Sequence, residues 1–409
     1  MILHTPKVTH EGERICIAAR FELRNKLAYL PDHLWYRVPE VYEKCISVRV
    51  DTFAPTALLM AMYSGEPLSI RGPISPKLAY GLLEYRNIFH SWSPKLFHMI
   101  DVNFDSFEPV ASYDGQTAVA TAFSGGVDSF HTLWSHLVQN QEIPDARVTH
   151  GLFIHGLDLR LNDEINYLKA AEIYTDLFQH LDLELIRMST NAYHFSEFRI
   201  PWTLFDGPPL IGAALLLSPF LRRFYTPSGM PSYNDLIPQA TSPLIDHLLS
   251  TENFDVIHHG ASANRIQKIK VVSNWPMSHH RLRVCSDKLR MDGVKNCSAC
   301  HKCYRTIAVL SLLKALPNHR NFNGDLRVSS YVRWGLFTLL DPDQVRHIRN
   351  EAWSSNQFGM VVLLQIAILL REVKRTTIHI IKSLMSRELV YRIKRKIYSP
   401  ENTETEEMQ

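Results

Sequence analysis

The chain has 409 residues, of which 45% are apolar and 21% charged, and its net charge is +3. That balance is enough for a full core in two or three domains, and it excludes long disorder and a surface that is basic throughout. No basic segment followed by an apolar one opens the chain, and the strongest apolar run, 360–370, falls short of the ~20 residues a membrane span needs, so a soluble cytoplasmic protein without a signal peptide is expected.

The first stretch, 1–115, mixes strand-like runs, ERICIAARF and CISVRVDTF, with one helix in TALLMAMYSG. It reads as a small α+β domain. SGEPLSIRGPISPKL is dense in glycine and proline and reads as turns, with a helix starting at Pro76 or Lys77. From 116 the pattern alternates. TAVATAF is a strand, SGGVDS a turn and FHTLWSHLVQN a helix. VTHGLFIHGLD and LELIRMST are strands on either side of a helix over 164–181. PPLIGAALLLSPFL is a helix, and RRFYTPS and FDVIHHGAS are further strands. Such alternation predicts an α/β domain over 116–334, with a parallel sheet covered by helices on both faces. YRTIAVLSLLKAL is a helix, and 335–409 reads as a helical region with a basic helix and an acidic tail. Within it, 371–396 carries nine Lys or Arg against two Glu, and 401–409 carries four Glu.

The turn Ser124–Ser129 lies between a strand and a helix. Helix N-termini leave backbone N–H groups without intrahelical partners, and the helix dipole adds positive potential there. Gly125 and Gly126 permit positive φ and close approach of an anion, and Ser124 and Ser129 bring hydroxyls. Asp128 is the odd member, because a bare carboxylate repels phosphate; it points either to Mg²⁺ or to a structural role in orienting the loop. The turn lacks the Gly-Lys-Ser/Thr of a Walker loop and is not GxGxxG.

Cys285, Cys297, Cys300 and Cys303 follow the spacing C-x11-C-x2-C-x2-C, which suits four thiolates around one metal. A structural Zn²⁺ is expected, since a closed four-thiolate site leaves no open position; an iron–sulfur cluster is the alternative. Lys295, Lys302 and Arg305 would offset its charge.

SGGVDS resembles the signature of the N-type ATP pyrophosphatases, or PP-loop enzymes. Together with the cysteine spacing, the segment from about 45 to 320 resembles the 7-cyano-7-deazaguanine synthase family, although the N-terminal 115 residues and the basic C-terminus depart from it. The resemblance implies a Rossmann-like sheet of the adenine-nucleotide α-hydrolase type, with ATP and Mg²⁺ as cofactors. It implies ATP cleavage between the α- and β-phosphates, adenylation of a substrate oxygen, and displacement of AMP by a nitrogen or sulfur nucleophile. The nucleotide contacts it implies are Phe123, Ser124, Gly125, Gly126, Val127, Asp128 and Ser129. It also places Phe153, His155 and Asp158, at the end of the second strand, beside adenine and ribose. Arg187 and Asn191 fall at the end of the third strand, where open sheets line their ligand crevice. Asp206-Gly207 reads as an ordinary cap. His259, Gly260, Asn264 and Arg265 follow another strand and face the same crevice. Arg265 or Lys268 would meet charge developing on the α-phosphate. The candidate catalytic set is Asp128, Ser129 and Arg265.

The expected function is therefore ATP-dependent ligation of a carboxylate, in a small molecule or a peptide, to a nitrogen nucleophile. A sulfur transferase is the alternative, but Cys16 and Cys45 lie far in sequence from the turn; a non-catalytic nucleotide-binding subunit is a second alternative. The basic helix packs on the body by an apolar stripe, or else meets a protein partner, a second copy, an RNA backbone or an anionic membrane. Nucleic acid is not favoured, because 1–370 is neutral.

Overall fold

Eleven strands form one mixed sheet among the described residues. They are β1 (Ile2–Leu3), β2 (Lys7–Glu11), β3 (Arg14–Glu22), β4 (His33–Pro39), β5 (Leu68–Ile74) and β6 (Val102–Phe107), then β7 (Ala118–Ala122), β8 (His150–His155), β9 (Glu184–Thr190), β10 (Leu221–Pro227) and β11 (Asp255–His259). The computed structural model describes the chain except residues 25–29, 112–116, 198, 230–232, 235, 286, 288–289, 339–341 and 385–409, and leaves out the side chains of 381–384.

The sheet order is β11-β10-β7-β8-β9-β4-β3-β1-β5-β6, with β2 also on β3. The five strands from β7 to β11 are mutually parallel. In their own chain order they lie as 5-4-1-2-3, so the order reverses between β7 and β10. β7 and β8 are buried along nearly their whole length, as parallel strands covered on both faces must be. β4 then runs antiparallel to β9 through Tyr36 opposite Thr190 and Arg37 opposite Ser189, which continues the sheet into the N-terminal strands. The expected boundary at 115 falls within 112–116, outside the described residues.

The helices are α1 (Ala54–Ser64), α2 (Pro76–Trp92), α3 (Val127–Ser135), α4 (Glu164–His180), α5 (Tyr193–Ser196), α6 (Gly207–Leu216), α7 (Arg265–Asn274), α8 (His301–Leu312), α9 (Val328–Arg333), α10 (Pro342–Ser354) and α11 (Phe358–Leu384). α2 starts at the expected proline, with the Ser75 hydroxyl accepting the Leu78 N–H. α4 buries Tyr167, Ala170, Ala171, Tyr174, Leu177 and Phe178, the spacing of a single helix face.

Several expectations are corrected. CISVRVDTF is not a strand: it contains 3-10 turns, and its polar groups bond outside any ladder, with Asp51 accepting from Arg49 and from the Ser75 N–H, and the Ser47 N–H donating to the Leu216 carbonyl. The glycine–proline stretch after Pro67 is not turns but β5, which pairs parallel with β1 and β6. Its register shifts between Ile70 and Pro73, and Gly72 there has φ +94° with Thr5 packed against it, so glycine and proline mark a bulge. α3 begins at Val127 rather than Phe130, and α6 ends at Leu216 rather than near 221.

Two compact units divide the chain, Met1–Cys297 with Pro317–Asn323, and Ser298–Leu316 with Gly324–Gln409. The first has its core around the sheet, with Tyr36, Phe53, Leu58, Phe195 and Phe224 at or near zero exposure. The second is helical and built around fully buried Trp334, whose ring lies 5.9 Å from Tyr304 and 6.4 Å from Tyr331. There α10 packs Val345, Ile348 and Ala352, and α11 buries Leu364, Ala367 and Ile368. From Val373 to Ile380 α11 is exposed all round, so the expected burial of an apolar stripe does not extend there. Lys382 and the basic residues beyond it lie outside the described side chains. No described helix is long and apolar enough to cross a membrane.

Candidate functional site

β7, the turn and α3 form a continuous strand–turn–helix unit. Gly125 has φ +75°, in the left-handed region, and Gly126 is the N-cap of α3 with an extended backbone. A Cβ on Gly125 would stand 1.7 Å from the Tyr174 hydroxyl oxygen, so α4 closes off one side of the turn. Burial pushes the Tyr174 phenol up to about 12 against the pull of Arg283, and its hydroxyl donates to the Arg281 carbonyl at 3.3 Å.

The turn lies at the carboxyl end of β7, beside β10, where the strand order reverses. That is the position at which open α/β sheets leave a crevice. From the far side of this position α7 supplies two cations. Arg265 Nη1 is 2.9 Å from Asp128 Oδ2, and Lys268 Nζ is 3.3 Å from Asp128 Oδ1. Both cations also reach carbonyls of the chain after β10, Arg265 to Gly229 at 2.7 Å and Lys268 to Ser228 at 2.6 Å. Burial would raise the Asp128 carboxyl, but Arg265 and then Lys268 outweigh it and hold it below the usual range. Burial lowers Lys268, opposed by Asp128. The side chain of Asp128 is 20% exposed and that of Lys268 only 4%. The carboxylate therefore presents itself as part of a cationic cluster. α7 is fixed in place by a capping box between Asn264 and Gln267.

The turn's other side chains are inward. Phe123 is buried edge-on against Phe130, Tyr174 and Phe178, and Val127 is buried. The Ser124 hydroxyl accepts the Gly126 N–H at 3.4 Å, and the buried Ser129 hydroxyl donates to the Gly126 carbonyl at 3.0 Å. Behind the turn lie His131, His136 and His259. His259 shares a 3.1 Å hydrogen bond with the Thr132 hydroxyl, and His136 bonds the Thr132 carbonyl at 2.9 Å. Burial, then the neighbouring histidines and Lys268, lowers His259 to about 3; burial and then Lys268 lower His131 to about 4. Both rings are neutral at pH 7.

The remaining expected residues are spread out. Phe153 lies inside β8, stacked on Tyr167. His155 ends β8, bonds the Arg160 carbonyl at 2.7 Å and stacks on Tyr167. Asp158 is exposed on the following loop. Arg187 is exposed on β9, three residues before its end at Thr190 and in register with Phe153, so it is not the strand-end group expected. Asn191 is committed to β4, accepting from the Trp35 N–H and donating to the His33 carbonyl. Asp206 is the N-cap of α6 and makes no side-chain cap bond. Gly260, with φ +94°, follows β11 beside His131 and Lys268.

One buried residue at the turn was missed. Arg283 donates to the Ser124 carbonyl from Nε at 3.1 Å and from Nη2 at 2.8 Å, and its N–H donates to the Gly125 carbonyl at 2.7 Å. Its only sequence signal is its place two residues before Cys285 in RLRVC.

The Sγ atoms of Cys285, Cys297, Cys300 and Cys303 all lie within 4.8 Å of one another. Four thiolates at that separation suit a metal ion such as zinc. Cys16 and Cys45 stand apart from them, on β3 and in the turn after β4, and burial raises both thiols, the reverse of an activated nucleophile. Two concavities, one of about 120 Å³ beside Arg20, Phe21 and Asp32 and one of about 810 Å³ beside Val328, Val332 and Phe337, include none of the turn residues. Compared with known proteins, the chain matches no family model, no curated protein and no solved structure.

Proposed function

We propose that the turn Ser124–Ser129 binds the β- and γ-phosphates of ATP with Mg²⁺, and that the protein is a carbon–nitrogen ligase of the PP-loop type on a Rossmann-like sheet. The observation that carries this reading is the glycine turn at the strand-order reversal, with Arg265 and Lys268 clustered on Asp128 beside it. A turn with left-handed Gly125 followed by a helix N-terminus directs backbone donors at an anion.

In this reading a carboxylate oxygen of the substrate attacks the α-phosphorus and pyrophosphate leaves. A nitrogen nucleophile then attacks the acyl carbon, loses a proton, and displaces AMP. Arg265 and Lys268 offset charge that builds on the phosphates, which is where fixed cations lower a barrier most. Asp128 holds those two cations in place. Mg²⁺ brought with the nucleotide would lie beside Asp128 and would supply positive charge that offsets the repulsion between phosphate and that carboxylate. Zn²⁺ at the four cysteines is structural, since a closed thiolate set offers no position to a substrate.

The test is to incubate the protein with ATP, Mg²⁺, ammonia and a panel of carboxylates, and to separate the nucleotide products. AMP with pyrophosphate is expected; ADP with phosphate would overturn the reading.

A further inference from the structure

We propose that Arg283 is a positioning residue through which metal binding at the cysteines sets the geometry of the glycine turn and hence its affinity for phosphate. The identity of the ligand rests on the nucleotide reading above; the coupling does not.

In a trans peptide the C=O and N–H point in opposite directions. The Ser124 carbonyl shares its peptide plane with the Gly125 N–H, and the Gly125 carbonyl shares its plane with the Gly126 N–H. Arg283 binds both carbonyls, one through its guanidinium and one through its own N–H. It therefore fixes two successive peptide planes and turns the Gly125 and Gly126 N–H groups away from itself. Those are the donors an anion at this turn would use, the Gly126 N–H by exchanging its long 3.4 Å bond to the Ser124 hydroxyl. Arg283 is only 6% exposed, so these bonds act without competition from water.

Arg283 is in turn held by the frame of the cysteine site. The Asn296 side chain accepts from the N–H of Val284 at 2.8 Å and of Cys285 at 3.0 Å, and donates to the Leu282 carbonyl at 2.8 Å. The Asn321 side-chain amide also donates to the Leu282 carbonyl, and the Asn321 backbone carbonyl accepts the Asn296 N–H at 2.9 Å. Cys285 comes two residues after Arg283, and Cys297 one residue after Asn296. A metal that joins Cys285 to Cys297 clamps the same two segments that carry Arg283 and Asn296, and closes the loop between them. Losing it frees the strap that orients the turn. Linkage makes the effect reciprocal, so ATP tightens metal binding by the factor by which metal tightens ATP.

The test uses the full chain loaded with zinc, the same chain stripped with a chelator under reducing conditions, and the variants Arg283→Met and Arg283→Lys. ATP affinity is measured by titration, and amide hydrogen exchange is measured on the peptide 121–130. Stripping zinc from the unmodified chain is expected to weaken ATP on the order of tenfold and to speed exchange over 121–130, while exchange in β3 stays unchanged. In Arg283→Met, which loses the guanidinium bonds to Ser124 but keeps the backbone bond to Gly125, the affinity begins low and stripping lowers it by less than in the unmodified chain. Arg283→Lys, which keeps the charge but loses the fork, falls between and serves alone if the methionine variant does not fold. Additive effects of stripping and substitution, or exchange over 121–130 that ignores zinc, overturn the coupling. If the loaded chain binds no ATP but zinc protects 121–130 more strongly in the unmodified chain than in Arg283→Met, the nucleotide reading fails and the coupling stands.

Discussion

Tyr174 occupies the space that a side chain on Gly125 would need: a Cβ there would lie 1.7 Å from the hydroxyl oxygen and 2.2 Å from the ring carbon that bears it. The two residues are 49 positions apart, on a turn and on α4, and their contact fixes which residue type the turn accepts. Gly125→Ala combines this clash with a left-handed backbone, which by itself costs about 1–2 kcal/mol for a residue with a side chain. ATP affinity is expected to fall at least about tenfold, which corresponds to ~1.4 kcal/mol. Tyr174→Phe in the same chain should not restore it, because the ring carbon still obstructs. Titration calorimetry on the single and double variants checks this, and recovery in the double variant contradicts it.

The cluster of Asp128, Arg265 and Lys268 predicts unequal effects. Asp128→Asn leaves the buried Lys268 without its carboxylate partner and should destabilise by about 3 kcal/mol, the usual cost of breaking a buried pair. Arg265→Ala removes the more exposed cation, so stability should change less while turnover falls. Denaturant unfolding alongside pyrophosphate release separates the two, and equal effects of both substitutions on both readouts would count against a structural Asp128 and a catalytic Arg265.

Acid should destabilise the protein through the histidines behind the turn. His259 and His131 are held neutral, at about 3 and about 4, below an ordinary value near 6.5. The unfolded chain therefore binds more protons than the folded chain between those values. Stability is full above about pH 6.5 and declines as pH falls toward 4, each histidine removing about 1.4 kcal/mol for every pH unit of the fall. Protonated His131 would face Lys268 and His136 as well as Asp128, and the two cations oppose its charging. Thermal melts from pH 7 to pH 4 should show a steep decline that His131→Gln makes shallower; an unchanged slope in that variant argues against it.

One zinc per chain is expected by elemental analysis, with no visible absorption from iron. Cys297→Ser should lose the metal and lower the melting temperature. Iron with sulfide in the purified protein would replace zinc by a cluster.

In the helical unit, Trp334→Ala removes the ring between Tyr304 and Tyr331 and should cost about 3–5 kcal/mol. The sheet strands should keep their exchange protection in that variant, because the loss lies in the other unit's core; loss of protection in β7 and β8 would contradict this.

The alternation of strands and helices from 116 to 274 is legible in the sequence, because parallel strands buried on both faces appear as short apolar runs and α4 as a repeating face. The glycine turn and the cysteine spacing are legible for the same reason: each is set by neighbours in the chain. What the sequence hid lies across long separations. Ser124 meets Arg283, and β4 meets β9, each pair more than 150 residues apart. Their residue types are common, and nothing nearby in sequence marks the partner. β5 was hidden for another reason, since glycine and proline signal a turn when read locally and become a bulge only when β1 and β6 supply the ladder. The chain's local chemistry thus determined the elements and the turn. Packing in three dimensions decided which cations and carbonyls surround it, because burial selects partners by space and solvent exclusion and not by position along the chain.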